Sequence, residues 1–141
     1  MFSFKNKRGF TLLELILVII VIGILASLAV PRFINMAEKA RGAEAVNTIG
    51  ALKTAEDLYF MEHGTYTATI GDLDITDVPT TGTATFWTYG IAAGTGGIGS
   101  SYVITATRTS KAGGTTTDTI TFTWPGGTWG GTGHPGQPPN N

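Results

Sequence analysis

The chain has 141 residues, of which 42% are hydrophobic and 13% are charged, and it contains no cysteine. Nine basic and ten acidic side chains give a net charge of −1, which argues against nucleic-acid binding because that depends on cations facing phosphates. The absence of cysteine excludes a disulfide framework. The length predicts one modest globular domain in addition to any helix that stands apart from it.

Residues 10–30 form an apolar segment that follows a basic stretch, residues 1–9. At about 1.5 Å per residue, a helix over this segment is roughly 31 Å long, which matches a hydrocarbon core of about 30 Å. Because Lys5, Lys7 and Arg8 precede the segment, the amino terminus is predicted to be cytoplasmic and the residues after it to be exported. The alternative is a secretory signal cleaved near residues 26–29, but the segment is long for such a signal.

A single acidic residue, Glu14, interrupts the apolar segment. A carboxylate at the centre of a membrane-spanning helix costs about 2.5–3.5 kcal/mol, so we expect a partner that neutralises it. Cleavage between Gly9 and Phe10 would create an amine one helical turn away, and the Phe10 amine of one chain can then reach the Glu14 of the next. The alternative is that Glu14 extends to the lipid headgroups from a shallow position.

The motif KRGFTLLE at residues 7–14 resembles the processing site of the type IV pilins and of the type II secretion pseudopilins. The resemblance continues through the apolar segment and the helix beyond it, covering about the first half of the chain. It implies that a prepilin peptidase cuts after Gly9 and that Phe10 is then N-methylated. It also implies the α+β pilin fold, in which a long amino-terminal helix packs on a small antiparallel sheet.

We predict that this long helix extends over residues 10–62, with residues 10–30 forming the membrane segment and filament core. Its second half is amphipathic, and Gly64 is placed to cap its carboxyl end. The predicted apolar face recurs at helical spacing and consists of Ala45, Ile49, Leu52, Ala55 and Tyr59. Gly23 and Pro31 weaken the helix, which predicts either a bend at the membrane surface or a segment that stretches in a filament.

The remaining chain is predicted to comprise a sheet domain, residues 63–125, and a Gly/Pro-rich tail, residues 126–141, without regular structure. Strands are expected at residues 86–91, 102–108 and 116–124. Their apolar face would be covered by the amphipathic half of the helix.

Few residues outside the apolar segment indicate chemistry, and we expect the protein not to be an enzyme. His63 and His134 are interpreted as a helix-end residue and a tail residue. Trp129 is the one tryptophan expected to be exposed, because glycines flank it. A calcium site is the alternative to solvated turns for Asp72, Asp74 and Asp77, although pseudopilins hold calcium nearer the carboxy terminus; no other cofactor is expected.

Four charged residues just after Pro31 are candidates for ion pairs between subunits, each contributing about 0–1 kcal/mol if exposed. They are Glu38, Lys39, Arg41 and Glu44.

The sequence therefore predicts a pilin: a single-pass inner-membrane precursor that is cleaved, methylated and assembled into a homopolymeric extracellular filament. The alternative is a pseudopilin in a short periplasmic filament that serves protein export. The resemblance implies a prepilin peptidase, an assembly ATPase and a platform protein as partners. A non-polymerising single-span binding protein remains open. So does a minor tip pilin that binds DNA or host surfaces, although the net charge of −4 without residues 1–9 disfavours it.

Overall fold

A computed structural model describes residues 9–139. Of the predicted leader, residues 1–8 lie outside the described residues, as do tail residues 140 and 141. Over residues 9–139 the elements are one long helix, four strands and two short 3-10 turns at Ile70–Asp72 and Lys111–Gly113. In chain order they are α1 (Leu12–His63), β1 (Trp87–Ala93), β2 (Tyr102–Arg108), β3 (Thr119–Trp124) and β4 (Thr128–Gly131).

The described chain divides into two compact units, one ending at Met36 and the other beginning at Ala37. In the amino-terminal unit the large apolar side chains are exposed, for example Leu13 at 76% and Phe33 at 73%. Within the described residues, α1 is the one helix long and apolar enough to cross a membrane by length and composition, with a mean hydropathy of 2.9 in its most apolar window. The helix is continuous through Gly23 and Pro31, so a stretch at these residues stays a prediction.

The second unit contains the sheet, and its fold confirms the predicted α+β class. The strands are antiparallel in the order β1-β2-β3-β4, and the register places Tyr89 opposite Ala106 and Ala106 opposite Ile120. Side chains of α1 and of one sheet face form a common core. The predicted helix stripe is confirmed: Ala45, Ile49, Leu52 and Ala55 are buried, and Tyr59 packs against them.

The carboxyl end of α1 also agrees with the prediction. Gly64 has a φ of +72°, a conformation that costs glycine little, and its N–H donates to the Phe60 carbonyl at 2.8 Å. The His63 ring stacks on Tyr59 with centroids 4.1 Å apart. The helix therefore ends where the sequence indicates.

The expectation that residues 126–141 lack regular structure is wrong. β4 lies in this tail and pairs with β3, Thr128 standing opposite Thr123. Trp129, expected to be exposed, is half-buried, and its ring packs edge-on against Phe122 at 5.1 Å. His134 is buried as well, at 4% exposure. The Gly/Pro composition indicated a loop because it carries no apolar periodicity. The segment is ordered instead by contacts with residues that are far away in the sequence.

Candidate assembly site

The predicted processing site lies immediately before α1, in exposed chain. Phe10 is 87% exposed, and a Cβ added to Gly9 would meet no atom within 4 Å. Local packing therefore does not require glycine at position 9. A requirement for glycine there would have to come from a molecule that recognises this segment.

Thr11 and Glu14 form a capping box at the start of α1. The backbone N–H of Thr11 donates to Glu14 Oε2 at 3.0 Å, and the Thr11 hydroxyl donates to the same oxygen at 3.0 Å. In return, the Glu14 N–H donates to Thr11 Oγ1 at 3.1 Å. Thr11 was not among the predicted site residues, although Thr-x-x-Glu before an apolar run is the recognised signal of this motif.

The capping box changes the interpretation of the acidic residue in the apolar segment. Glu14 lies in the first turn of α1, where the helix dipole favours a negative charge, so the cost quoted for a helix centre does not apply directly at this position. Both hydrogen bonds to its carboxylate end on Oε2, and within residues 9–139 Oε1 accepts no hydrogen bond. The carboxylate is thus oriented by its own chain and retains one oxygen for another donor.

Two of the four charges proposed for contacts between subunits are engaged within the second unit. Glu38 pairs with Arg41 and, at 3.3 Å, with Arg108, which is 1% exposed. His134 Nε2 lies 3.2 Å from the second Glu38 oxygen. Burial raises the pKa of Glu38, but hydrogen bonds from Arg108, His134 and Arg41 outweigh burial and hold the pKa below its ordinary value.

Lys39 and Glu44 behave differently. Both are exposed, and neither forms an ion pair within the described part of the chain. They are the two members of the predicted set that remain available to a second molecule.

The three candidate calcium ligands do not form a cluster. Across residues 9–139 there is no group of three His, Cys, Asp or Glu side chains that could hold a metal ion. Asp72 instead accepts a hydrogen bond from the Thr67 hydroxyl at 3.1 Å, which fixes the loop after α1. Asp72, Asp74 and Asp77 therefore do not make a common site.

An exposed apolar helix with a capped glutamate in its first turn, joined to a unit in which the helix covers an antiparallel sheet, defines a pilin-like protein. Residues 4–30 match the family described as the prokaryotic N-terminal methylation motif. The predicted resemblance is thereby confirmed for the amino-terminal segment.

Relatives of both predicted kinds are similar to this chain over about half of its length. It is 44% identical to the type II secretion system core protein G of Escherichia coli K12 over 76 residues, which is 53% of this chain and 52% of that protein. It is 44% identical to the same core protein of Aeromonas hydrophila over 70 residues, 50% of this chain and 49% of that protein. Its identity to the type IV major pilin protein PilA of Myxococcus xanthus is 43% over 61 residues, 43% of this chain and 28% of that protein. The chain thus spans about half the length of the curated secretion relatives that it matches.

Proposed function

We propose that this chain is a structural subunit of a bacterial type IV filament, with no catalytic role and no need of a cofactor. The precursor is held in the inner membrane with its amino terminus in the cytoplasm, cut after Gly9, methylated at Phe10 and polymerised through the amino-terminal half of α1. The observation that carries this proposal is the exposure of the apolar residues of α1 beside an oriented Glu14. A helix with this surface requires a membrane or other copies of itself around it.

Assembly moves this helix from lipid to a core of like helices. Lipid tails are as apolar as leucine, so the transfer gains little hydrophobic energy and apolar packing alone does not fix the axial position of one subunit against the next. A polar pair in the same surroundings does fix it. Glu14 supplies the acceptor for that pair, and cleavage supplies the cation at Phe10.

The capping box defines how the pair forms. Glu14 Oε2 keeps the two Thr11 hydrogen bonds, and Oε1 accepts the Phe10 ammonium of an adjacent copy. At 4 Å the attraction between the two charges is about 1 kcal/mol in water and about 4 kcal/mol at an effective dielectric constant of 20. Exclusion of water from the assembled core therefore strengthens the pair.

Lys39 and Glu44 are proposed to add an ionic contact between neighbouring globular units. Reversal of either charge should lower filament yield several-fold, and the double variant K39E/E44K should restore it. The matched control is the pair Lys53–Asp57, which is joined within one helix at 3.0 Å; its reversal should leave the yield unchanged. Failure of the double variant to restore assembly would remove this contact from the proposal.

A second candidate, a pseudopilin of a type II secretion system, is favoured by the similarity to core protein G. The chain is similar to both kinds of relative, at 43–44% identity, and this similarity does not separate them. Long filaments shed from the cell surface would support the pilus. Short periplasmic filaments, with loss of exported enzymes in a deletion strain, would support the secretion system. In either case a prepilin peptidase, an assembly ATPase and a platform protein are the proposed partners.

The proposal is tested by replacing Glu14 with alanine and measuring both processing and assembly. The intact mass of the membrane form should still show loss of residues 1–9 and one added methyl group, whereas sheared filament protein should fall at least about tenfold, as loss of an interaction of about 1.4 kcal/mol or more implies. Leu17→Ala, at a 62% exposed position, is the control for a generic change in the helix. Wild-type filament abundance in the Glu14→Ala strain would refute the assigned role.

A further inference from the structure

Three cationic side chains lie around the ring of Phe86 at the Ala37 end of the second unit. The Arg41 and Arg108 guanidinium carbons are 4.6 Å and 5.3 Å from the ring centroid, and Lys111 Nζ is 4.6 Å from it. A cation is attracted to the face of an aromatic ring, so the ring holds the three charges close to one another. We call Phe86, Arg41, Arg108 and Lys111 the cationic end.

The cationic end has more positive groups than the described chain pairs with acids. Arg41 and Arg108 share the carboxylate of Glu38. Lys111 is exposed and forms no ion pair within residues 9–139. Asp118, whose carbonyl accepts the Arg108 N–H at 2.9 Å, forms no ion pair within that range either. Lys111 therefore carries a charge that an acid of another molecule can neutralise.

The opposite end of the second unit is acidic. Glu62 lies in the last turn of α1, and Asp72 and Asp74 follow in the loop after it; all three residues are exposed. The Thr67 hydroxyl donates to Asp72 at 3.1 Å, and the Thr67 N–H donates to Glu56 of α1 at 3.1 Å, so this loop is fastened beside the helix end. We call Glu62, Asp72 and Asp74 the acidic end.

The two ends are well separated and opposite in sign. Because the helix rises about 1.5 Å per residue, Arg41 and Glu62 are roughly 30 Å apart along its axis. Lys53, a basic residue near the acidic end, is already paired with Asp57 at 3.0 Å. The unpaired carbonyls at the carboxyl end of a helix add partial negative charge. The second unit is therefore electrically polar along α1.

A filament of parallel subunits brings two different surfaces of the same chain into contact, because a contact between identical surfaces closes a dimer. From the charges we propose that the cationic end of one copy binds the acidic end of the next copy, with Lys111 facing Glu62 and Asp74. This contact rests on the proposed filament and identifies the two surfaces that meet between its globular units. Exposed charges are screened by salt, so the contact weakens as the ionic strength rises.

Chemical cross-linking of assembled filaments tests this contact, and the absence of cysteine from the chain makes each introduced thiol unique. The double variants K111C/E62C and K111C/D74C are sheared from cells and treated with a short thiol-specific cross-linker. Each subunit then carries both partners of the contact, so at least one of the two variants should give a ladder of covalent multimers. The matched single variants should give dimers at most.

Charge reversal measures the same contact through assembly. Lys111→Glu should lower the yield of sheared filament several-fold, the effect of an exposed ion pair, whereas Lys111→Arg should leave the yield unchanged. The double variant K111E/E62K should restore most of the loss. Near-ultraviolet circular dichroism of unassembled Lys111→Glu should match that of the wild type, which separates assembly from folding.

Two results would overturn the inference. They are filaments of normal yield in which neither double-cysteine variant is linked beyond dimers, and unchanged assembly of Lys111→Glu. Neither result would affect the proposed function, because the filaments would still form. A wild-type chain that forms no filament would remove the proposed function and this contact together.

Discussion

The two halves of α1 differ in the exposure of the same kinds of residue. Before Met36, leucine, isoleucine and valine side chains are exposed, as Leu28 is at 68%. After Ala37, Ile49 and Leu52 are fully buried against the sheet. The apolar side chains of the second half pack against other parts of the chain, whereas those of the first half stay exposed among the described residues. This contrast, rather than any catalytic group, indicates that the protein acts by associating with something outside itself.

The contrast extends to the carboxylates of the helix. Glu38 is surrounded by Arg41, Arg108 and His134, whereas across residues 9–139 the Glu14 carboxylate is bonded only by neutral donors of Thr11. A carboxylate satisfied by its own chain stabilises the fold. A carboxylate that is oriented but not neutralised is suited to a partner.

The largest expected effect follows from the processing site. Gly9→Val should block cleavage nearly completely, so the full-length precursor accumulates in the membrane and filaments are lost. Because position 9 has no packing neighbours, the fold should be unaffected. An intact mass with residues 1–9 attached is the expected result, and Gly23→Ala, also without neighbours within 4 Å, is the control. Normal processing of Gly9→Val would contradict the assigned site.

The second-largest expected effect is on stability, and it compares a leucine in each half of the helix. Leu52→Ala, at a fully buried position, should destabilise the second unit by about 2–5 kcal/mol. Leu17→Ala, at a 62% exposed position, should change its stability by less than about 0.5 kcal/mol. Chemical denaturation followed by near-ultraviolet circular dichroism in detergent measures both. Equal losses would mean that the first half of α1 is not independent of the core.

A smaller, pH-dependent effect is expected at Glu56, which is fully buried. Burial raises the pKa of this carboxyl, against a hydrogen bond from the Thr67 N–H at 3.1 Å. The folded state thus favours the protonated form, and the stability that this provides is present below about pH 4.5 and is lost as the pH rises through the folded-state pKa. Near pH 8, Glu56→Gln should have a melting temperature higher than that of the wild type by about 4 °C, corresponding to roughly 1 kcal/mol.

The control for Glu56 is the exposed Glu62, whose replacement by Gln should leave the pH profile unchanged. A wild-type protein that gains stability between about pH 5 and pH 8 relative to Glu56→Gln would reverse the sign of the prediction.

The smallest effect concerns the capping box. Thr11→Ala removes the donor hydroxyl and should cost about 1 kcal/mol at the start of α1, lowering filament yield less than Glu14→Ala does. Thr11→Ser keeps the hydroxyl and should assemble normally. Quantification of sheared filaments ranks the three variants. If Thr11→Ala were as damaging as Glu14→Ala, the cap rather than the charge would dominate assembly.

Features encoded by local periodicity were predictable from the sequence. β2 was placed at its observed bounds, β3 was recognised because apolar residues and threonine alternate along it, and the buried stripe of α1 followed from helical spacing. The capping box was equally predictable from the spacing of Thr11 and Glu14, although it was not assigned. All three signals depend on residues within a few positions of one another.

Features that depend on distant residues were not predictable in this way. Arg108 and His134 meet Glu38 across 70 and 96 positions of the chain, so no local pattern assigned that carboxylate to the chain's own interior. β4 is ordered by pairing with β3, and the chain after it by the contact of Gly136 with Gly42. Their own glycine-rich composition is typical of a loop. The residues that determine their structure are their contact partners elsewhere in the chain.

The most direct test of the central claim is a high-resolution electron cryomicroscopy map of filaments assembled from this chain. We expect the methylated Phe10 nitrogen of each subunit within about 3 Å of a Glu14 oxygen of an adjacent subunit, a normal length for a charge-assisted hydrogen bond. A filament core in which Glu14 has no cationic partner, or in which residues 1–9 are still attached, would contradict the account.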